Sequence, residues 1–212
     1  MVPRPQRAVQ TAQPCFRILR FMTTRGGYLP VLTDGVVRIR PFAVADAAAL
    51  ADIWTDPTIR ARNTVPEPSE DAASQWIAGR AAAAAAGEAW EWALVDAETN
   101  RLAGRRALKG INWEHGRASA ACWVAPEFRG RQFAARSLRL AATHAFAQGL
   151  ARVQAECEAD NAASLRSVRA AGMCREGTLR SFFVSNSGAH MDAEVFGLLA
   201  DDLANAPAFR SS

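Results

Sequence analysis

Arg129, Gly130, Arg131 and Gln132 stand between a strand-like run and a helix-like one, and chemistry enters the chain there. Residues 123–138 read Trp-Val-Ala-Pro-Glu-Phe-Arg-Gly-Arg-Gln-Phe-Ala-Ala-Arg-Ser-Leu: a buried strand end, a Pro-Glu turn, a basic loop, then an amphipathic helix. Phe133, Leu138, Ala141, Ala142, Ala145 and Phe146 recur at near-helical spacing, and Gly149 supplies a stop. A loop feeding a helix start gathers unbonded backbone N–H groups where the peptide dipoles favour an anion by about 0.3–1 kcal/mol. Arg129 and Arg131 add fixed positive charge. The predicted chemistry is a pyrophosphate cradle built by the backbone of Arg129, Gly130, Arg131, Gln132, Phe133, Ala134 and Ala135.

At these residues the chain resembles the GNAT superfamily of acyl-CoA-dependent N-acetyltransferases, and within it the group that acetylates N-termini of ribosomal proteins. The superfamily pattern runs Arg or Gln, two residues, Gly, one residue, then Gly or Ala. Arg129 and Ala134 match its first and last positions, and Gln132 stands where glycine is expected. Asp160-Asn161-Ala162-Ala163-Ser164 with Ala171-Gly172-Met173, and then Arg175-Glu176-Gly177-Thr178-Leu179-Arg180, resemble the next segments in the family's order. The resemblance spans residues 32–203. It implies an α/β fold whose mixed, mostly antiparallel central sheet is flanked by helices and splayed in the middle at the CoA site. It also implies acetyl-CoA as cosubstrate, direct transfer, and a primary amine acceptor, either a protein N-terminal α-amine or a small-molecule amine. The strand end at Trp123 and Val124 is then where backbone groups bond the pantetheine arm. An N–H near Val124 can face the oxyanion, where one such donor is worth about 10²–10³ in rate. In the family the asparagine matched by Asn161 contacts the cofactor, and the serine matched by Ser164 can protonate the CoA sulfur. Read as residues alone, Asn161 is a helix N-cap and Ser164 a solvated helix serine on the same face, at i and i+3.

Two positions depart from the family pattern. A glutamine at 132 either turns outward or crowds the cofactor, and the outward pose is expected because a helix start has room on its solvent side. Ser119 stands where relatives often carry a carboxylate, so no general base is obvious. An α-amine with a pKa of about 7.8 is partly neutral near pH 7, whereas a lysine at about 10.4 is almost wholly charged, so a site without its carboxylate favours an α-amine. Glu114, in a turn beside Trp113, is taken with Ser164 and Asn161 as a candidate catalytic residue; Glu156, Glu158, Asp192 and Glu194 remain possible bases. Glu156 and Glu158 share the face opposite Val153, Ala155 and Cys157, as a solvated strand face would. His115 reads as a turn residue and His144 as a helix-surface residue. Gln132 and Ser119 keep a second reading open, a catalytically weakened relative serving as a CoA-binding or regulatory module.

The elements that must position these residues follow from periodicity. Residues 35–42 alternate as a strand, Asp46 caps a helix with Leu50, Ile53 and Trp54 inside, and Asp56-Pro57 ends it. Residues 59–68 read as a loop, and Ser69 caps a second helix running into the alanines 81–86. In the family these helices and their loop wall the acceptor cleft. Strands follow at Trp90–Leu94, 102–109 and 117–124, with turns at 96–100 and 111–116. After the cradle helix come a strand holding Val153, Ala155 and Cys157 inward, a short helix at 161–171 with Leu165 and Val168 inside, and a hairpin of 178–184 with 190–198 across 185–189. That order gives an α/β fold around one mixed sheet.

Composition sets the limits. The chain has 212 residues, half of them hydrophobic, which suits one domain with a sizeable core, and no run approaches the ~18 apolar residues of a membrane span. The five arginines of residues 1–33, with no acid among them, more than account for the formal charge of +4, so the remainder sits near −1. No nucleic-acid partner and no membrane are therefore expected. Cys15, Cys122, Cys157 and Cys174 are widely spaced, as are the three histidines, so neither a metal site nor a disulfide framework is expected, and reduced cysteines fit a cytoplasmic protein. Residues 1–31 read as a disordered or mis-annotated extension, with Met22 as an alternative start or an organelle-targeting role also open. Residues 32–204 read as the catalytic domain and 205–212 as a short tail, in a monomer or homodimer.

Overall fold

A computed structural model describes residues 29–185 and 188–209. The expectations for residues 1–28, including Cys15 and the alternative start at Met22, and for turn positions 186 and 187 lie outside the described residues.

Eight strands form one sheet: β1 (Leu32–Thr33), β2 (Val37–Pro41), β3 (Ala89–Asp96), β4 (Leu102–Asn112), β5 (Arg117–Val124), β6 (Arg152–Glu158), β7 (Cys174–Val184) and β8 (His190–Leu198), in the spatial order β1-β2-β3-β4-β5-β6-β8-β7. Only β5 and β6 run parallel, because a helix, α4 (Phe133–Ala147), crosses between them. Three helices, α1 (Ala47–Ile53), α2 (Pro57–Arg62) and α3 (Glu70–Ala85), lie between β2 and β3 in sequence; α5 (Ala162–Ala170) joins β6 to β7, and α6 (Ala200–Ala204) follows β8. Among the described residues no helix is long and apolar enough to cross a membrane.

Alternation assigns the sheet's two faces. Trp90, Trp92, Arg106 and Leu108 face α4, where the rings of Trp90 and Trp92 lie 4.9 and 5.8 Å from that of His144. Glu91, Arg105 and Lys109 share the other face with α3, whose Trp76 meets Trp54, the residue that caps the end of α1, edge-on at 5.7 Å. Ser69 caps α3 as expected, its hydroxyl accepting from the Ala72 N–H at 3.1 Å, with Glu70 and Asp71 in the first turn.

Three local readings are corrected. Residues 57–62 form a helix where Asp56-Pro57 is expected to end one and 59–68 to be a loop, because Asp56 accepts from the Ile59 N–H at 2.8 Å and Pro57 pre-sets the first helical φ. Asp46 does not cap α1 with its side chain; the carboxylate reaches back to the Ala43 N–H and forms a two-bonded pair with Arg40, each bond 2.7 Å. β4 continues through Ile111 to Asn112 past an irregularity after Lys109, where Gly110 takes φ +56, so the turn shrinks to four residues. The segment after α6 packs back, with Phe209 beneath the guanidiniums of Arg136 and Arg139 at 4.6 and 4.0 Å.

Candidate functional site

The site begins where β5 and β6 part. They pair only through Arg117 with Arg152, Ala118 with Val153 and Ser119 with Gln154. Beyond Ser119, β5 runs on to Val124 paired only with β4, and beyond Gln154, β6 runs on to Glu158 paired only with β8. The two inner edges diverge into a slot with free backbone groups on both sides. A cleft of about 1580 Å³ opens over it, more than the roughly 300–1,000 Å³ of a single small-molecule site.

Gly104 makes the β5 arm possible: a Cβ there would stand 2.3 Å from the Trp123 carbonyl oxygen. That close approach, with the Ala125 N–H donating to Ala103 at 2.8 Å, turns the backbones of 123 and 125 toward β4 and that of Val124 toward the slot. The Val124 carbonyl accepts from Arg129 Nε at 3.0 Å, leaving its N–H for a ligand.

After β5, a single 3-10 turn (Pro126–Phe128) leads into the basic loop and α4. The N–H groups of residues 130–135 donate to no acceptor among the described residues, while the Gln132 carbonyl accepts from Arg136 at 2.9 Å. Gly130 and Gln132 both have left-handed backbones, at φ +78 and +61. Glycine is therefore expected at 132 on conformational grounds as well as for close approach. Gln132 is exposed, and its carboxamide makes no bond to the helix start.

The arginines depart from expectation. Arg129 donates to Asp56 at 2.8 Å, tying the cradle to α2, and holds that carboxyl below its usual range against the opposing effect of burial. Arg131 is turned out of the cleft to Asp96, at 3.0 Å, over the rings of Phe128 and Phe133. The cation beneath the cradle is instead Arg106, only 3% exposed, which reaches the Ala134 carbonyl and, at 3.1 and 3.2 Å, the Ser137 hydroxyl. Burial depresses its pKa, and no carboxylate pairs with it among the described residues.

At the far end of the slot, Asn161 Oδ1 accepts from the Ser164 N–H at 3.1 Å, so the capping role is real. Ser164 is half-buried in the cleft, its hydroxyl donating to Cys157 Sγ at 3.1 Å, and burial raises the Cys157 thiol pKa. Glu114 sits exposed in the 113–116 turn and is not among the cleft residues; Glu156 and Glu158 are. Asp192 is occupied by the Ser181 N–H and Glu194 by Arg175 and Thr178. Ser119 lies in a small adjoining pocket with Gln154 and Asn112. His144 is partly buried among tryptophans rather than on the surface, and burial lowers its pKa to about 4.

Sequence reasoning passed over Arg105, Arg106 and Lys109. Two adjacent arginines inside a strand must point to opposite faces, so a polar demand on both faces was visible in Gly-Arg-Arg-Ala-Leu-Lys. Its partners, Glu91 and Arg80, come from other elements and were not.

A mostly antiparallel sheet opened at its one parallel pair, beside a helix start with unspent amides, defines an acyltransferase architecture. The chain belongs to the acetyltransferase (GNAT) domain family, whose model matches residues 37–174. An uncharacterized N-acetyltransferase, p20, of Bacillus licheniformis is 24% identical over 168 residues, 78% of this chain and 94% of that one. Mycobacterium smegmatis RimJ, solved with CoA-disulfide, superposes with a TM-score of 0.72 at 21% identity over 81% of this chain and 86% of its own. A Salmonella typhimurium acetyltransferase that modifies the N-terminal serine of ribosomal protein L7/L12 superposes with a TM-score of 0.69 at 20% identity over 78% and 96%.

Proposed function

We propose that this chain transfers an acetyl group from acetyl-CoA to a primary amine, and that the acceptor is a protein N-terminal α-amine in preference to a small-molecule amine. The observation that carries the reading is the set of unbonded N–H groups at 130–135, opening onto the slot between β5 and β6. These amides, backed by the buried charge of Arg106, fit a diphosphate. Trp123, Val124, Arg129, Gly130, Gln132, Phe133, Ala134, Ala135 and Asn161 form the cofactor wall, with Arg131 contributing backbone only.

Acetyl-CoA supplies the activated thioester. The Val124 N–H, aimed into the slot, is the donor for its carbonyl oxygen. Asn161 fixes the first turn of α5 and so sets Ser164, whose hydroxyl is the proton donor for the departing sulfur. Glu156 takes the place assigned to Glu114, being a cleft carboxylate able to accept the amine's proton directly or through water. The N-terminal serine of L7/L12 modified by the Salmonella relative supports an N-terminal amine, and so does the absence of a carboxylate at Ser119. Gln132 is exposed yet lines the cleft, so the weakened-relative reading keeps its support there and cofactor binding decides it.

Calorimetry with acetyl-CoA, paired with thiol release in the presence of N-terminal peptides, tests the proposal. Binding below about 1 mM and peptide-dependent thiol release are expected. No heat at millimolar acetyl-CoA sinks it, and faster transfer to a free lysine side chain than to a peptide N-terminus removes the acceptor assignment.

A further inference from the structure

The cleft face opposite α4 carries two walls of opposite charge. On the β4–α3 side, Glu91 is 3% exposed and is paired with Arg105 and, at 2.8 Å, with Arg80. Burial works against that carboxylate, but the two guanidiniums outweigh it and hold its pKa below the usual range. Lys109, the one lysine of the chain, joins the cluster, and its amino group has no hydrogen bond or ion pair among the described residues. Burial and the neighbouring guanidiniums lower its pKa. Three cations thus share one carboxylate, a local charge of +2. Trp76 lies over Arg80 at 4.6 Å and Arg105 at 5.7 Å, holding the wall rigid.

Across the slot the sign reverses. Glu156 and Glu158 project from β6, and Asp160 follows it; Arg62 alone pairs with Glu158 and, at 3.1 Å, with Asp160. Glu156 accepts only from Gln154 Nε2, at 2.7 Å. Asp160 lies outside the cleft lining and Arg166 of α5 within it, so the negative charge this wall presents is that of Glu156, which has no guanidinium partner among the described residues. The nearby Arg152 is cancelled by Glu176, and Arg60 by Glu67. Between the walls the floor is small, with Ala107 opposite Ala121 on β4 and β5.

We propose that the acceptor is a peptide N-terminus with an aspartate or glutamate at its second or third position, its α-amine at Glu156 and its side-chain carboxylate at Lys109. This rests on the acetyl-transfer reading above and names the substrate class for it. Spacing decides between peptide and free amino acid. β4 and β6 stand two strand spacings apart, about 10 Å, at Ser119 and Gln154, and Glu156 lies two residues further along the diverging edge, so its backbone is more distant still from that of Lys109. A free amino acid holds its amine and carboxylate within one residue and cannot reach both walls. An extended chain advances about 3.3–3.6 Å per residue, so an acid one or two residues in, plus its side chain, can.

The test measures binding of three peptide amides, Ala-Asp-Phe, Ala-Asn-Phe and Ala-Lys-Phe, and of free alanine, to the acetyl-CoA-saturated protein. The Asp peptide should bind at least about tenfold tighter than the Asn peptide, about 1.4 kcal/mol, with the Lys peptide and alanine weaker still. Lys109→Gln should bring the Asp/Asn ratio below about threefold and Lys109→Arg should retain it, while Glu156→Gln should weaken every peptide and leave the ratio in place. Equal affinities in the parent protein, a ratio that survives Lys109→Gln, or alanine binding as tightly as the Asp peptide overturns the proposal. Charge-selective binding without any thiol release would condemn the transferase reading alone; acetylation indifferent to charge would condemn this one alone.

Discussion

Gln132 holds a backbone conformation that an L-residue adopts at a cost of roughly 1–2 kcal/mol, with φ at +61. The position sets the loop's turn into α4, so the cost is retained for geometry that frees the N–H groups of 130–135. Gln132→Gly is expected to raise stability by up to about 1 kcal/mol in urea denaturation and to leave acetyl-CoA affinity equal or tighter. Gln132→Val, which adds a β-branch at the same φ, should lower both. A second residue-scale outcome concerns Ser164, whose hydroxyl is 3.1 Å from Cys157 Sγ and whose N–H, not its side chain, receives the Asn161 cap. Ser164→Ala therefore keeps the helix start, and its kcat should fall while the acetyl-CoA dissociation constant stays within about twofold. Unchanged kcat removes Ser164 from the proton transfer. The sequence showed that glycine was missing at 132 but not the main reason glycine suits it, since φ of a non-glycine residue leaves no mark in a string of letters. The Arg129 and Arg131 partners were equally hidden, because Asp56 and Asp96 lie 73 and 35 residues away.

At the scale of elements, strand and helix spacing was mostly legible: β5 and β8 run as expected, and α4 buries the predicted stripe apart from the half-buried Phe146. α2 was missed because Asp-Pro was read as a stop when it is also a cap followed by an N1 proline. The packing of α4 on β3 was missed for another reason: His144 is polar by type but packs as an aromatic ring against Trp90 and Trp92. This packing has a pH signature. Folding holds the His144 pKa at about 4, below the unfolded value near 6.5, so between those values the unfolded chain binds a proton that the fold refuses. Stability should therefore fall as pH drops from 7, by about 2 kcal/mol at pH 5, with no further contribution from this group below about 4. His144→Phe, which keeps the ring contacts, should flatten the urea midpoint between pH 7 and pH 5. An equally steep decline in the variant would assign the effect to other groups.

Over the whole molecule, the order of elements gave an α/β fold around one mixed sheet, because only α4 lies between consecutive strands in a way that demands a parallel pair. The depth of the slot and the two charged walls were not readable, since they depend on where β4, α3 and β6 converge after folding. The slot depends on β4 approaching β5 closely at one point, and glycine substitutions separate that requirement from ordinary helix propensity. Gly79, inside α3, has open space where a Cβ would go, so Gly79→Ala should gain about 0.5–1 kcal/mol, a rise in Tm of about 1–4 °C. Gly104→Ala is the same chemical change with the opposite outcome. Its methyl would lie 2.3 Å from the Trp123 carbonyl and 3.1 Å from the Val124 Cα, both backbone atoms that cannot swing aside as a side chain can. β4 and β5 must then separate at the level where Val124 presents its N–H, which both destabilises the sheet and moves the β5 arm of the slot. The expected result is a lowered Tm together with acetyl-CoA affinity reduced at least tenfold at a temperature where the variant is still folded. A folded Gly104→Ala protein that binds acetyl-CoA as the parent does would show that the slot does not depend on this contact.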